Sequence, residues 1–234
     1  MSDEERCATR HPYLVTFNSS LIAGMADKTL VILISGRGSN MEALLAAQLP
    51  ARVTAVISNN PQARGLRIAR DRGIAVAAVD DRAFADRAAF EAALATEIDR
   101  HHPDLVVLAG FMRILTPSFV ERYRGRIMNI HPSLLPAFPG LHTHRRALEA
   151  GTRIHGCTVH FVTPDLDSGP VILQAAVPVQ PGDTEEQLAA RVLAQEHRIY
   201  PQAIRWFCEG RIELGRNGAV TVDGVPAALL PEAL

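Results

Sequence analysis

From Thr29 onward, short apolar runs alternate with longer stretches that place apolar residues every three or four positions. Residues 29–35, TLVILIS, are almost unbroken and rich in β-branched side chains, which predicts a buried strand. Residues 53–58 (VTAVIS), 74–79 (IAVAAV), 104–110 (DLVVLAG) and 126–130 (RIMNI) repeat the pattern. Helices are expected between them. One covers 41–49, with Ser39 or Asn40 as its cap. A second covers about 62–72 and stops at Gly73. A third covers about 83–101, where Phe90, Leu94 and Ile98 fall four apart on one face. Buried strands alternating with helices predict a parallel sheet covered on both sides, an open, Rossmann-like α/β fold.

The pattern changes after residue 131. A loop with three prolines is followed by a short helix at 144–151. Residues 156–162 and 170–179 read as strands. Their connection is short, so the pair is expected to be antiparallel. A long helix begins at Thr184 with a capping box closed by Gln187, meets Pro201, which would kink or restart it, and ends at Gly210. The expected fold class is α/β: an open mixed sheet, parallel first and antiparallel last, in one domain over 28–234. Residues 1–27 read as an N-terminal extension. Acids lie at its front, and Asn18, Ser19 and Ser20 break its apolar patch, unlike a signal peptide. Met25 followed by ADKTLVILISG looks like a natural beginning.

Composition narrows the functional classes. Apolar residues make up 47% of the 234, enough for a sizeable core. The net charge of −1, with both signs interspersed, argues against a broad nucleic-acid surface. No apolar stretch reaches the roughly 18 residues that a membrane span needs. Three scattered cysteines without a CxxC pattern suit a reducing, cytoplasmic setting and no cysteine metal site. His142, His144, His155 and His160 lack zinc spacing, so no metal is expected.

Four features could carry chemistry. Gly36-Arg37-Gly38-Ser39-Asn40, between strand and helix, suits an anion at a helix N-terminus, or simply a tight turn. It is neither a Walker loop nor a full dinucleotide fingerprint, because Met41 stands at the third glycine position and no acid ends the second strand. Asn129 and His131 alternate at a strand end and therefore point to the same side. An amide can steady an oxyanion and an imidazole can move a proton; the same pair would also serve as turn chemistry. Asp165-Leu166-Asp167-Ser168-Gly169-Pro170 is a turn with two acids, and the pattern does not choose between them. Glu196 falls on the apolar stripe of Leu188, Ala189, Val192 and Ile199, which calls for a partner or a pocket.

The segments SGRGSN, LAGFMRIL, NIHPSLLPAFPGLHTHRRAL and GCTVHFVTPDLDSGPVILQ occur in that order. Together they resemble the formyltransferases that use 10-formyltetrahydrofolate, over about residues 29–212, and imply the formyltransferase fold. The resemblance implies Asn129, His131 and Asp167 as the catalytic set. It implies Gly38, Ser39 and Asn40 for a substrate phosphate, and Glu196 as an acid that contacts the ribonucleotide. It implies Arg87, Met112, Arg113, Ile114 and Leu115 for the folate co-substrate, which Asn129 would also touch. The implied acceptor is glycinamide ribonucleotide, a small molecule. Neither a nucleic acid nor a membrane is implied, and the enzyme would be a monomer or a homodimer. Relatives that hydrolyse the formylfolate or formylate a tRNA add a regulatory or a barrel domain. The chain outside 28–210 is expected to be too short for either. Ser168 departs from the pattern, where glycine is common, and so does the N-terminal extension.

Overall fold

The structure, a computed structural model, describes residues 28–215 and 218–227. The expected N-terminal extension lies outside the described residues. Seven strands form the main sheet: β1 (Lys28–Ile34), β2 (Ala51–Ser58), β3 (Ala75–Ala78), β4 (Leu105–Leu108), β5 (Ile127–His131), β6 (Ile154–Phe161) and β7 (Val171–Pro178). Their order is β3-β2-β1-β4-β5-β6-β7. The first five pair in parallel, while β5–β6 and β6–β7 are antiparallel. The mixed sheet expected from the sequence is therefore present, with its change of direction at β5. The strand order reverses about β1, which lies between β2 and β4, and open α/β sheets form ligand crevices at such a point.

Among the described residues, six α-helices accompany the sheet: α1 (Ser39–Ala46), α2 (Arg64–Asp71), α3 (Arg87–Asp99), α4 (Pro117–Arg122), α5 (Thr143–Glu149) and α6 (Glu185–Cys208). On one face Ile32, Val107, Met128 and Val159 pack with Leu44, Leu66 and Val192 of α1, α2 and α6. On the other, Val31, Leu33 and Ile127 pack with Leu94, Ile98 and Phe119 of α3 and α4. No residue of β6 or β7 belongs to this second cluster. Met128 and Ile130 point to the first face, so Asn129 and His131 point to the second.

Several boundaries differ from expectation. α1 begins at Ser39, not Met41, and neither Ser39 nor Asn40 caps it. Its N-cap is Gly38, at φ 81°, with no side-chain bond to the helix. α3 begins at Arg87 because Asp86 caps it, accepting from Ala89 N–H at 2.8 Å; residues 81–83 form a separate 3₁₀ turn. α6 neither restarts nor stops at Pro201. It runs 24 residues, and the buried stripe through Ile199, Tyr200 and Ile204 outweighs one missing hydrogen bond. The capping box of Thr184 and Gln187 is formed, and Gly210 follows the last helical turn with φ 69°. The sequence reading had neither α4 nor the small antiparallel sheet of β8 (Ile212–Leu214), β9 (Val220–Val222) and β10 (Val225–Pro226).

Candidate active site

The glycine turn is shaped by close packing. A Cβ on Gly38 would lie 3.0 Å from Gly65 Cα, and Gly65 N–H donates to Gly36 O at 3.1 Å. The turn thus rests on the start of α2. The first N–H groups of α1 have no side-chain cap, which is what an incoming anion needs. Asn40 is turned inward: its Nδ2 donates to Glu196 Oε2 at 2.7 Å, and its buried Oδ1 has no protein partner. Burial raises the Glu196 pKa, against the lowering effect of the Asn40 bond. The helix that follows the glycine turn and the acid on the apolar stripe are therefore joined across 156 positions of sequence.

The second cluster surrounds the end of β5. Asn129 faces His160 across the β5–β6 pair, with Asn129 Nδ2 3.2 Å from His160 Nε2. His160 Nδ1 lies 3.0 Å from the Phe161 carbonyl, which only accepts, so this nitrogen carries the proton. Burial lowers the His160 pKa and keeps the ring neutral. Its Nε2 then accepts from Asn129 and sets the orientation of that amide. His131 Nε2 lies 3.0 Å from the Phe138 carbonyl, and its Nδ1 lies 3.4 Å from Asp167 Oδ2. The Phe138 carbonyl only accepts, so His131 Nε2 carries a proton, and Nδ1 faces the Asp167 carboxylate. His160 was not among the expected site residues. Its clue is the register between β5 and β6, which no local pattern carries.

Of the two acids in the β6–β7 connection, Asp167 enters this cluster and Asp165 stays exposed. Asp167 sits at φ 49°, and Gly140 N–H donates to its Oδ2 at 2.8 Å. The proline-rich loop is held by hydroxyls as well as prolines. Ser133 Oγ donates to Ala137 O at 2.6 Å, and Thr158 Oγ1 donates to Ser133 O at 2.6 Å. Gln174 Nε2 donates to Thr158 Oγ1 and to Leu135 O. Tyr200, also missed in the sequence, points its phenol at the carbonyls of Leu108 and Met128, 3.0 Å from each, and so ties α6 to β4 and β5 beside Asn129.

A third region is a cavity lined by Asp81, Phe84, Asp86, Arg87, Phe90, Met112, Arg113 and Ile114. It gathers four of the expected folate residues: Arg87, Met112, Arg113 and Ile114. Leu115 is not among the lining residues. Its side chain is buried in the core beside α3 and α4. Among the described residues, no group of three or more His, Cys, Asp or Glu could hold a metal ion. No helix of the described residues is long and apolar enough to cross a membrane.

Two histidines behind the loop give a stability prediction. His144 and His155 meet edge to face at 5.3 Å, and the buried His155 Nε2 has no partner. Burial lowers the His155 pKa from 6.5 to about 4. Between those values the unfolded chain binds a proton that the folded chain refuses. This contribution is therefore full above about pH 6.5 and is lost as the pH falls towards 4. Thermal melts at pH 7 and pH 5 are expected to show a smaller acid drop in His155→Phe than in the wild type. An equal drop would remove His155 as its source.

An anion-ready helix end, an amide–imidazole–carboxylate cluster and a cavity with two arginines all surround one sheet. The family model described as "Formyl transferase" matches residues 28–204, and the chain belongs to that family. Within it, the chain is 55% identical to the phosphoribosylglycinamide formyltransferase of Escherichia coli (strain K12) over 194 residues, covering 81% of this chain and 92% of that one. It is 44% identical over 195 residues to the trifunctional purine biosynthetic protein adenosine-3 of Bos taurus, matching 82% of this chain but 19% of that longer one. The solved phosphoribosylglycinamide formyltransferase of Coxiella burnetii superposes with a TM-score of 0.82 at 46% identity, over 86% of this chain and 96% of that one.

Proposed function

We propose that the chain transfers the formyl group of 10-formyltetrahydrofolate to the primary amine of glycinamide ribonucleotide, yielding formylglycinamide ribonucleotide and tetrahydrofolate for purine synthesis. The observation that carries this reading is the convergence of Asn129, His131 and Asp167, in a chain 55% identical to an enzyme of that name. The ribonucleotide phosphate rests on the N–H groups of Gly38, Ser39 and Asn40, and Glu196 takes the sugar side. The folate occupies the cavity of Arg87, Met112, Arg113 and Ile114. It is a co-substrate; no step requires a metal. Among the described residues Cys157 and Cys208 are free and buried, which suits a reducing cytoplasm.

The unprotonated amine attacks the formyl carbon and forms a C–N bond, and the carbonyl oxygen becomes an oxyanion. Asn129 N–H and protonated His131 stabilise that charge. Asp167 compensates the imidazolium and routes the amine proton to N10 of the folate as the old C–N bond breaks. No acyl-enzyme forms.

The reading is tested with one donor, 10-formyltetrahydrofolate, and three conditions: glycinamide ribonucleotide, initiator methionyl-tRNA, and no acceptor. Transfer is expected with the first alone. Formate release without an acceptor, or transfer to the tRNA, would overturn it. Gly38→Ala places a Cβ against Gly65 at a left-handed φ, so the ribonucleotide KM is expected to rise about tenfold or more with little change in kcat. An unchanged KM would remove the glycine turn from phosphate binding.

A further inference from the structure

Residues 112–114 form a wall of the cavity yet belong to no helix or strand, since β4 ends at Leu108 and α4 begins at Pro117. Polar contacts hold the segment instead. Met112 N–H donates to Ser35 Oγ at 2.7 Å, and Ser35 Oγ donates to Asn59 Oδ1 at 2.6 Å. Asn59 Nδ2 donates to Asp81 Oδ1 at 2.9 Å. Asp81 Oδ2 pairs with Arg113 Nη2 at 2.8 Å. The path leaves the segment at Met112, crosses the ends of β1 and β2, and returns at Arg113. It is a closed ring around one edge of the cavity. Farther along, the buried Glu91 carboxylate accepts from Thr116 N–H at 2.8 Å and from the Thr116 hydroxyl.

Each group in the ring has one way to serve. The Ser35 hydroxyl spends its single proton on Asn59, so its lone pair is free for Met112. The Asn59 amide must then turn its oxygen to Ser35 and its nitrogen to Asp81. Asn59 is 8% exposed, so a side chain unable to do both leaves a buried group unpaired. Asp81 completes the ring and itself lines the cavity.

We propose that Asn59 and Asp81 are positioning residues for the folate co-substrate, closing the ring Ser35–Asn59–Asp81–Arg113 that fixes segment 112–114 before the folate arrives. Ordering the segment in advance removes an entropy cost that binding would otherwise carry. The inference rests on the reading that this cavity takes the folate. Because Ser35 directly precedes Gly36, the ring also joins the folate wall to the strand that presents the phosphate turn.

The test compares wild type, Asn59→Ala, Asp81→Asn and Asp81→Glu. Tetrahydrofolate affinity is measured by calorimetric titration, and KM and kcat by formyl transfer. Asn59→Ala and Asp81→Asn are expected to weaken tetrahydrofolate binding and raise the formylfolate KM by about fivefold. kcat should change less than the formylfolate KM, because Asn129, His131 and Asp167 are not members of the ring. Asp81→Glu, which keeps the charge for Arg113, should recover most of the loss. Unchanged tetrahydrofolate affinity in both variants overturns the proposal. So does an equal loss in kcat and both KM values, the mark of general softening. Should the wild type bind tetrahydrofolate without transferring formyl, the functional reading fails and the ring is judged by binding alone. A wild type that does not bind tetrahydrofolate overturns both.

Discussion

His131→Ala is expected to lower kcat by about a hundredfold or more while both KM values change little. In the structure the ring is held from both ends, by the Phe138 carbonyl at Nε2 and by Asp167 at Nδ1. These contacts fix the ring plane, and one ring N–H has to be shared with or turned to the formyl oxygen as its charge develops. The formyl oxygen gains full negative charge only after the amine attacks, so losing the donor costs the transition state more than the bound substrates. Steady-state kinetics with both substrates check this. His131→Gln separates the two roles, because it can supply an N–H but cannot carry a positive charge. Turnover near wild type in the alanine variant would remove His131 from the mechanism.

Gly169→Ala is expected to cost turnover roughly a hundredfold, although no group that touches substrate is itself substituted. A Cβ there would lie 1.8 Å from the Phe161 carbonyl oxygen, a contact that only a shift of backbone relieves. That carbonyl also receives the proton of His160 Nδ1, which sets the ring that orients Asn129. Two positions along lies Asp167. One methyl group therefore disturbs both the acid and the amide. The Asn40–Glu196 pair belongs to α1 and α6, away from this turn, so calorimetric affinity for glycinamide ribonucleotide should survive. Unimpaired turnover would show that the turn yields without moving Asp167.

The parts legible in the sequence were those that repeat. Strands β1 to β7 announced themselves by apolar runs, and the brief connection between β6 and β7 implied their antiparallel pairing. The missed elements are short or exposed. α4 has six residues, too few for a periodic face, and its start depends on a Thr116 cap and Pro117. β8 has one half-buried and two exposed residues, so no alternation marks it. The start of α1 was misjudged because a glycine in the left-handed region does what a side-chain cap was expected to do. In the site, Asn129 and His131 could be read together because they alternate on one strand. Local pattern did not separate Asp167 from Asp165 and only the family resemblance pointed to Asp167; the place of His160 and the ring through Asn59 depend on contacts between distant segments. Leu115 shows the converse. It shares a segment with pocket residues yet turns into the core.

The switch of strand direction after β5 has a consequence for timing. A ribosome delivers the parallel half first, with the glycine turn and the β5 pair of Asn129 and His131. His160, Asp167 and Glu196 all come later in the chain. A nascent chain can therefore own a nearly complete nucleotide-type sheet and still lack every group that orients its amide and its imidazole. A nascent chain that ends before Asp167 lacks the proposed acid, and it is expected to release no formyl from the folate by this route.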